Sequence, residues 1–165
     1  MIALETRYGF RFDIRLATHA DEPGLAAFFA EVTDDDRRFR FLSAAPQVSP
    51  GQLHELADFA YHRHETFLAF VPGNDEIIAA ATLAADPDGR TGEVAISILP
   101  DFKGKGIGWT LLDHVAQEAR SWGVTRLQSI ESRENRAAIS LEREMGFSAR
   151  AVEGDPGLVL LERAF

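Results

Sequence analysis

The order of the predicted elements indicates an α/β domain, and three segments of the chain carry this prediction. Residues 10–16 alternate apolar and polar side chains, with the period of a half-buried strand. Residues 93–99 include several β-branched side chains and lead through glycines into an amphipathic helix over 106–122. Asn135 follows another strand and begins a second amphipathic helix. Strands that alternate with helices are typical of a sheet covered by helical layers.

The other elements follow in chain order. Thr18 and Asp21 form a capping-box pattern before an apolar-faced helix that reaches Val32. The acidic residues 34–36 open a short second helix, and Ser49 begins a third helix that we expect to reach about Tyr61. The predicted strands are 10–16, 66–71, 77–83, 93–99, 125–132, 148–152 and 158–162. The resulting order is β-α-α-α-β-β-β-α-β-α-β-β.

The composition fits one domain over residues 1–165 and excludes several classes of function. The chain has no cysteine, so disulfides, thiolate metal sites and a cysteine acyl-enzyme are excluded. Its net charge of −9 argues against broad nucleic-acid binding and favours a cationic acceptor. No apolar run approaches the roughly 18 residues of a membrane span, and the first residues lack a basic and then apolar leader. We therefore expect a cytoplasmic protein with neither nucleic-acid nor membrane partners.

The most informative stretch is the glycine-rich turn between the strand at 93–99 and the helix that follows. Gly104, Gly106 and Gly108 allow close approach to the main chain, and the helix presents unpaired N–H groups. This combination predicts an anion cradle, most naturally for a pyrophosphate, with added positive charge from Lys103 and Lys105. The glycines match neither the P-loop nor the Rossmann spacing.

Two signatures in this half of the chain resemble those of the GNAT superfamily of N-acetyltransferases. Residues 103–108 resemble its loop [RQ]-x-x-G-x-[GA], with Lys103 in place of Arg or Gln. The segment from Asn135 to Phe147 resembles N-x-x-A-x-x-L-Y-x-x-x-G-F, and the acceptor side of the N-terminal half looks like bacterial Pat-type protein lysine acetyltransferases. The resemblance implies the GNAT fold, a mixed twisted central sheet of six to seven strands flanked by helices on both faces.

The resemblance also implies acetyl-CoA as cosubstrate and assigns its contacts. Pantetheine would pair with the strand at Ile96 and Ile98, with the reacting carbonyl near Ser97. The pyrophosphate would lie on the amides that follow, and Asn135 would lie near the cosubstrate. The expected cosubstrate-binding residues are Ile96, Ser97, Ile98, Lys103, Gly104, Lys105, Gly106, Ile107, Gly108, Trp109 and Asn135.

The candidate catalytic base is Glu93, on the same strand as the expected cosubstrate contacts. A lysine amine is mostly protonated at neutral pH, so a proton acceptor acting through one or two waters would help. Pat-type enzymes carry a glutamate at the corresponding position; the alternative is a carboxylate in solvent. The signature tyrosine that can protonate the thiolate is Glu142 here. We expect Glu142 to be an ionised helix-surface residue, with water assisting the thiol.

The remaining charged groups are weaker candidates. His62 and His64 are expected to be solvated, so we predict no metal site. Arg37, Arg38 and Arg40 could bind a CoA phosphate or an acidic acceptor surface, but pairing with the acids at 34–36 is the favoured interpretation.

The sequence therefore predicts an acetyl-CoA-dependent N-acetyltransferase in which a primary amine attacks directly. The expected acceptor is a protein lysine. A small-molecule amine or amino acid is the runner-up, and a non-catalytic acyl-CoA sensor is the alternative from another class. The last two strands could also pair between subunits to form a homodimer.

Overall fold

A computed structural model describes residues 1–43 and 45–165 as one mixed sheet with helices packed against it. The strands are β1 (Ile2–Glu5), β2 (Arg11–Leu16), β3 (His64–Phe70), β4 (Ile77–Ala85), β5 (Thr91–Ile98), β6 (Arg126–Ser132), β7 (Ser148–Val152) and β8 (Asp155–Ala164). The helices are α1 (Glu22–Glu31), α2 (Asp34–Phe41), α3 (Pro50–Ala57), α4 (Ile107–Ser121) and α5 (Arg136–Glu144), with 3-10 turns at His19–Asp21 and Pro100–Phe102.

The eight strands lie in the order β1-β2-β3-β4-β5-β6-β8-β7. Every pair is antiparallel except β5 and β6, which are parallel. Consecutive positions along β3 and β4 are buried, so both faces of the sheet are covered at its centre. The predicted fold class is confirmed, with one strand more than the expected six to seven. The additional strand is β1, whose short and mostly exposed sequence lacks a clear alternation.

Local sequence sets most of the helix starts. The Ser49 hydroxyl accepts from the Gln52 amide at 3.1 Å, and the Gln52 side chain accepts from the Ser49 amide in return. The third helix ends at Ala57 rather than at the expected Tyr61, because the chain turns back through a bridge between Ala60 and His64 to start β3. Asn135 caps α5 as expected, accepting from the Ala138 amide at 3.4 Å.

One apolar core joins the sheet to the helices. Phe12 and Ile14 of β2 are fully buried, and they alternate with outward-facing polar residues. Leu111 and Val115 of α4 are also fully buried. This packing fixes α4 behind β4 and β5, so the loop that joins β5 to α4 is held at both ends.

Candidate active site

The site begins where β5 and β6 separate. Their parallel pairing covers three residue pairs and ends at Glu93 and Gln128. Beyond that point β5 stays paired with β4 as far as Ile98, while β6 continues to Ser132 against β8. Alternate N–H and C=O groups of β5 after Glu93 therefore point into a wedge rather than at a neighbouring strand. An extended chain inserted there could pair with β5 as an added strand.

A cleft of about 420 Å³ extends from this wedge to the start of α4. Most of the predicted cosubstrate residues line it, while Lys105 lies beside it with its ammonium 5.6 Å from the ring centroid of Phe10. The predicted residues on its wall are Ile96, Ser97, Ile98, Lys103, Gly104, Gly106, Ile107, Gly108, Trp109 and Asn135. Residues that were not predicted from the sequence also line the cleft, including Tyr8, Phe39, Ile130 and Glu131. Arg40, for which a CoA contact was the less favoured interpretation, lines it as well.

The glycine loop forms an amide-rich end to the cleft. Gly104 and Gly106 have φ values of 77° and 87°, a conformation that strongly favours glycine. Gly106 is the N-cap of α4 and has no side chain to bond the first helical amides. These amides lack acceptors within the helix, and they coincide with the positive end of its dipole. The loop can therefore hold the pyrophosphate of an acyl-CoA.

Close packing explains two of the glycines. A Cβ atom at Gly106 would lie 3.1 Å from the Cβ of Thr6 and 3.1 Å from a ring carbon of Tyr8, in the turn between β1 and β2. A Cβ atom at Gly108 would lie 3.3 Å from Leu141 and 3.4 Å from Ile98. The first contact seats the loop against the edge of the sheet, and the second brings α4 close to both β5 and α5.

Lys103 at this loop is paired with an acid. Its ammonium forms an ion pair with the Asp36 carboxylate of α2, which also lines the cleft. This contact links the acceptor-side helices to the glycine loop. It also offsets part of the positive charge that the sequence analysis assigned to the loop, which leaves the main-chain amides as the principal anion donors.

Glu93 lies at the point where the two strands part. Its side chain is exposed, on the face of β5 opposite to that of buried Val94. The cation near Glu93 is the guanidinium of Arg40, on α2. Burial lowers the pKa of Arg40, while the charges of Glu93 and Glu131 raise it. The expectation that Arg40 pairs with residues 34–36 is wrong, because α2 turns this side chain inward over the cleft.

The other two arginines behave as expected. Arg37 bonds to Asp34, and Arg38 lies 3.5 Å from Asp35. Arg38 also reaches Glu134, at 2.8 Å, on the loop before α5.

A pair of carboxyl groups lies deeper in the site. Glu142 of α5 is only 5% exposed, and the pKa of Glu142 is raised to about 8, first by burial and then by the charge of Glu131. Burial also raises the pKa of Glu131, opposed by hydrogen bonds from Ser129 and Asn135 and by the charge of Arg40. The prediction that Glu142 is an ionised surface residue is wrong, because α5 packs this face against β6. Its position after Leu141 could have indicated burial, since it lies one turn from Ala138 on the same helix.

The histidines named in the sequence analysis lie apart from the cleft. His62 stacks on Tyr61 with 3.9 Å between ring centroids, and His64 Nδ1 lies 2.8 Å from the Asp58 carbonyl oxygen. His19 and His54 stack at 4.3 Å, and their ring nitrogens and an oxygen of Asp58 all lie within 4.8 Å of one another. All three residues of this second group are exposed. The absence of a metal site remains a prediction.

A wedge between parallel strands that leads to an amide-rich helix start can hold an extended chain that carries a phosphate group. The model of the acetyltransferase (GNAT) family matches residues 27–147. The chain therefore belongs to this family, whose members use acetyl-CoA to acetylate amines, and the predicted superfamily, enzyme class and cosubstrate are confirmed.

Three individual proteins show what the chain is similar to in sequence or in fold. The chain is 29% identical over 136 residues to an acetyltransferase from Pseudomonas aeruginosa, covering 81% of this chain and 73% of that protein. The GNAT domain of S. lividans PAT superposes with a TM-score of 0.89 at 23% identity, over 99% of this chain and 96% of that one. A spermidine N-acetyltransferase from Vibrio cholerae, in complex with CoA and spermine, gives 0.73 at 18% identity, over 93% and 95%. At these identities the two structures establish the fold alone.

Across the described residues, no helix is both long enough and apolar enough to cross a bilayer.

Proposed function

We propose that this chain transfers an acetyl group from acetyl-CoA directly to a primary amine, and that the acceptor is a lysine side chain of a protein. The observation that carries the proposal is the separation of β5 and β6 at Glu93, which puts a carboxylate at the mouth of the wedge. The acidic net charge of −9 favours a cationic acceptor. The resemblance of the N-terminal half to Pat-type protein lysine acetyltransferases also supports a protein acceptor.

The residues divide into binding and proton-transfer roles. The backbone of β5 at Ile96, Ser97 and Ile98 pairs with pantetheine, and the amides from Lys103 to Gly108 hold the pyrophosphate. Trp109 and Asn135 complete the walls of the cosubstrate site. Glu93 accepts a proton from the attacking amine through one or two waters, since a lysine amine must lose its proton before it can attack.

Arg40 lies near Glu93 at the mouth of the wedge, where the charges of Glu93 and Glu131 raise the pKa of Arg40 against the lowering effect of burial. Attack by the amine nitrogen on the thioester carbonyl forms the C–N bond, and departure of the CoA sulfur breaks the C–S bond. The amine proton leaves by way of Glu93.

Two alternatives stay distinct from this proposal. The first is a small amine as acceptor, the kind of substrate named for the V. cholerae spermidine N-acetyltransferase, which shares this fold. A non-catalytic acyl-CoA sensor would bind CoA without turnover, and its sequence support is the missing signature tyrosine at Glu142.

The wider expectations form part of the same proposal. Residues 1–165 act as one acetyltransferase domain in the cytoplasm, with neither nucleic acid nor membrane as partner. A homodimer would pair through β7, the last strand on its side of the sheet.

The first test follows an isotope label. Purified wild type and Glu93→Gln are incubated with labelled acetyl-CoA, dialysed cell lysate and a pool of small amines, and mass spectrometry locates the label. We expect label on protein lysines with wild type and a loss of roughly 100-fold or more in Glu93→Gln, the scale of general-base catalysis. Glu153→Gln, a change in an exposed turn, is the matched control and should leave the rate unchanged.

Each outcome separates the candidates. Label confined to small amines would mean that the acceptor is a small-molecule amine and not a protein lysine. CoA binding without any transfer would favour the sensor. Equal pH–rate profiles for wild type and Glu93→Gln would remove Glu93 from the mechanism.

A further inference from the structure

A small recess opens beside the cleft, between β5, β6 and α5. Its volume is about 60 Å³, and it shares Ile96, Glu131 and Asn135 with the wall of the cleft. Val94, Leu112 and Leu141 make it largely apolar, while Ser129, Glu131 and Glu142 supply polar atoms. A recess of this size and polarity has room for a water molecule next to Glu142. It therefore connects a buried carboxyl group to the strand along which pantetheine is proposed to bind.

Glu142 is a titratable group in this recess to which the proposed acetyl transfer gives no role. Among the described residues, its Oε2 is buried without a hydrogen-bond partner. An ionised carboxylate in that position would be very costly, whereas a protonated carboxyl group is tolerated. The burial and the unpaired oxygen therefore both favour a proton on Glu142.

Its neighbour Glu131 is also largely buried, and burial raises the pKa of Glu131 too, but both of its carboxyl oxygens have hydrogen-bond donors. Its Oε1 accepts from the Ser129 hydroxyl at 2.7 Å, and its Oε2 accepts from the Asn135 amide at 3.3 Å. Arg40 adds a favourable positive charge. Two carboxyl groups that share a buried site cannot readily ionise together. Glu131 is therefore the ionised member of the pair, and Glu142 is the member that keeps the proton.

We propose that Glu142 is the proton donor to the departing CoA thiolate, and that Glu131 is a positioning residue that keeps the proton on Glu142. This inference rests on the proposed acetyl transfer. Glu142 occupies the position of the signature tyrosine. The proton donor there is then a carboxyl group, kept protonated by a second carboxyl group, and not a phenol.

Two proton transfers accompany the exchange of the C–S bond for a C–N bond. The amine nitrogen forms a bond to the acetyl carbon and gives its proton to Glu93 through water. The C–S bond breaks, and its electron pair goes to sulfur. Glu142 gives its proton to that sulfur, directly or through one water in the recess, so the products are the acetylated amine and CoA thiol. Glu142 regains a proton from solvent after the products leave.

The pH dependence of this donor depends on charged and hydrogen-bonding groups from three elements. Glu131 and Ser129 face Glu142 from β6, Asn135 lies at the start of its own helix, and Arg40 approaches Glu131 from α2. The pKa of Glu142 is about 8, so the proton is present at neutral pH and is lost as the pH rises through that value. The rate should therefore fall on the alkaline side for a reason separate from ionisation of the amine.

The test compares wild type with Glu142→Gln, Glu142→Tyr and Glu131→Gln at saturating amine, with release of CoA thiol as the readout. For Glu142→Gln we expect kcat to fall about 10-fold or more with little change in KM for acetyl-CoA. This lies below the usual range for general acids, because a thiol near pKa 8.5 leaves readily. The wild-type advantage should shrink above about pH 9, where Glu142 has lost its proton. Glu142→Tyr should restore part of the rate, and Glu131→Gln should shift the alkaline limb of the profile.

A second measurement does not depend on turnover. The infrared difference spectrum of wild type minus Glu142→Gln, in which the contribution of Glu65 cancels, should show a protonated carboxyl band at neutral pH that disappears at high pH. If wild type releases thiol but Glu142→Gln has the same kcat and pH profile, Glu142 is not the donor, while the proposed acetyl transfer stands. If no amine causes thiol release by wild type, the proposed function fails together with this inference. If this band were missing, that result alone would overturn the proposal that Glu142 holds a proton.

Discussion

At the scale of single residues, Arg37 joins two helices of the acceptor side. Its side chain is buried, and one guanidinium nitrogen donates to the carbonyl oxygens of Phe29 at 3.2 Å and Val32 at 3.3 Å. These carbonyls end α1 and have no partner within that helix. The same guanidinium bonds to Asp34 at the start of α2. Arg37 therefore closes the junction that positions α2, and with it Arg40, over the cleft.

Replacing Arg37 by methionine should destabilise the fold. We expect the free energy of unfolding to fall by about 2–3 kcal/mol, because two buried carbonyl groups lose a charged donor. Chemical denaturation measures the change. Arg38→Met is the matched control on the same helix, where the side chain is more exposed, and it should have a much smaller effect. Similar losses for the two variants would mean that the bonds to the end of α1 contribute little.

At the scale of elements, the glycine loop depends on a turn that lies far from it in sequence. Thr6 is buried under Gly106, and its hydroxyl accepts from the amides of Tyr8 and Phe10, each at 3.2 Å. These bonds fix the β1–β2 turn in the place where it meets the loop. The start of α4 is thus held from one side by β5 and from the other by this turn.

Gly104→Ala and Gly106→Ala separate backbone strain from this contact. Both glycines have positive φ, but a Cβ at Gly104 would meet open space, whereas a Cβ at Gly106 would meet Thr6. We expect Gly106→Ala to lower the free energy of unfolding by about 1–3 kcal/mol more than Gly104→Ala, the usual cost of overpacking. It should also weaken CoA binding in equilibrium dialysis. An unchanged affinity would contradict the cradle.

At the scale of the whole molecule, buried acids make stability depend on pH. Glu65 of β3 is 6% exposed, and its pKa is raised to about 7 by burial and by the nearby Glu118 of α4. The pKa of Glu142 is raised in the same direction. The pKa of His114 is lowered, mainly by burial. The folded protein therefore keeps protons on two acids that the unfolded chain would release near pH 4.5.

The sign of the effect follows from this difference in bound protons. Between about pH 4.5 and 7 the folded state holds the Glu65 proton more tightly than the unfolded state, so this contribution to stability is lost as pH rises. Glu65→Gln carries no titrating proton. Relative to wild type it should gain stability, on the order of 2–3 kcal/mol, between pH 5 and pH 8.

Denaturation of wild type and Glu65→Gln at the two pH values measures this gain, because Glu142 and His114 titrate in both proteins. Glu55→Gln, on the exposed side of α3, should show no such difference. A constant offset between wild type and Glu65→Gln at the two pH values would rule out the buried titration.

The features that were predictable from sequence depend on residues close together in the chain. Asn135 caps α5 through its own neighbours, and Gly104 and Gly106 take a backbone conformation that few other residues adopt. The order of strands and helices follows from local periodicity in the same way. Strand β1 was missed because an exposed strand at the edge of a sheet carries little apolar pattern.

Other features of the site were decided only by the tertiary structure, because they depend on contacts between segments far apart in the chain. The burial of Glu142 requires β6 to pack on α5, and the inward position of Arg40 requires α2 to cross the cleft. The separation of β5 from β6 requires β8 to pair with the far half of β6. The sequence by itself determined the α/β order, the loop and the family signatures, because these are local. Which carboxyl groups face water was decided only by packing, because burial is a property of what surrounds a residue.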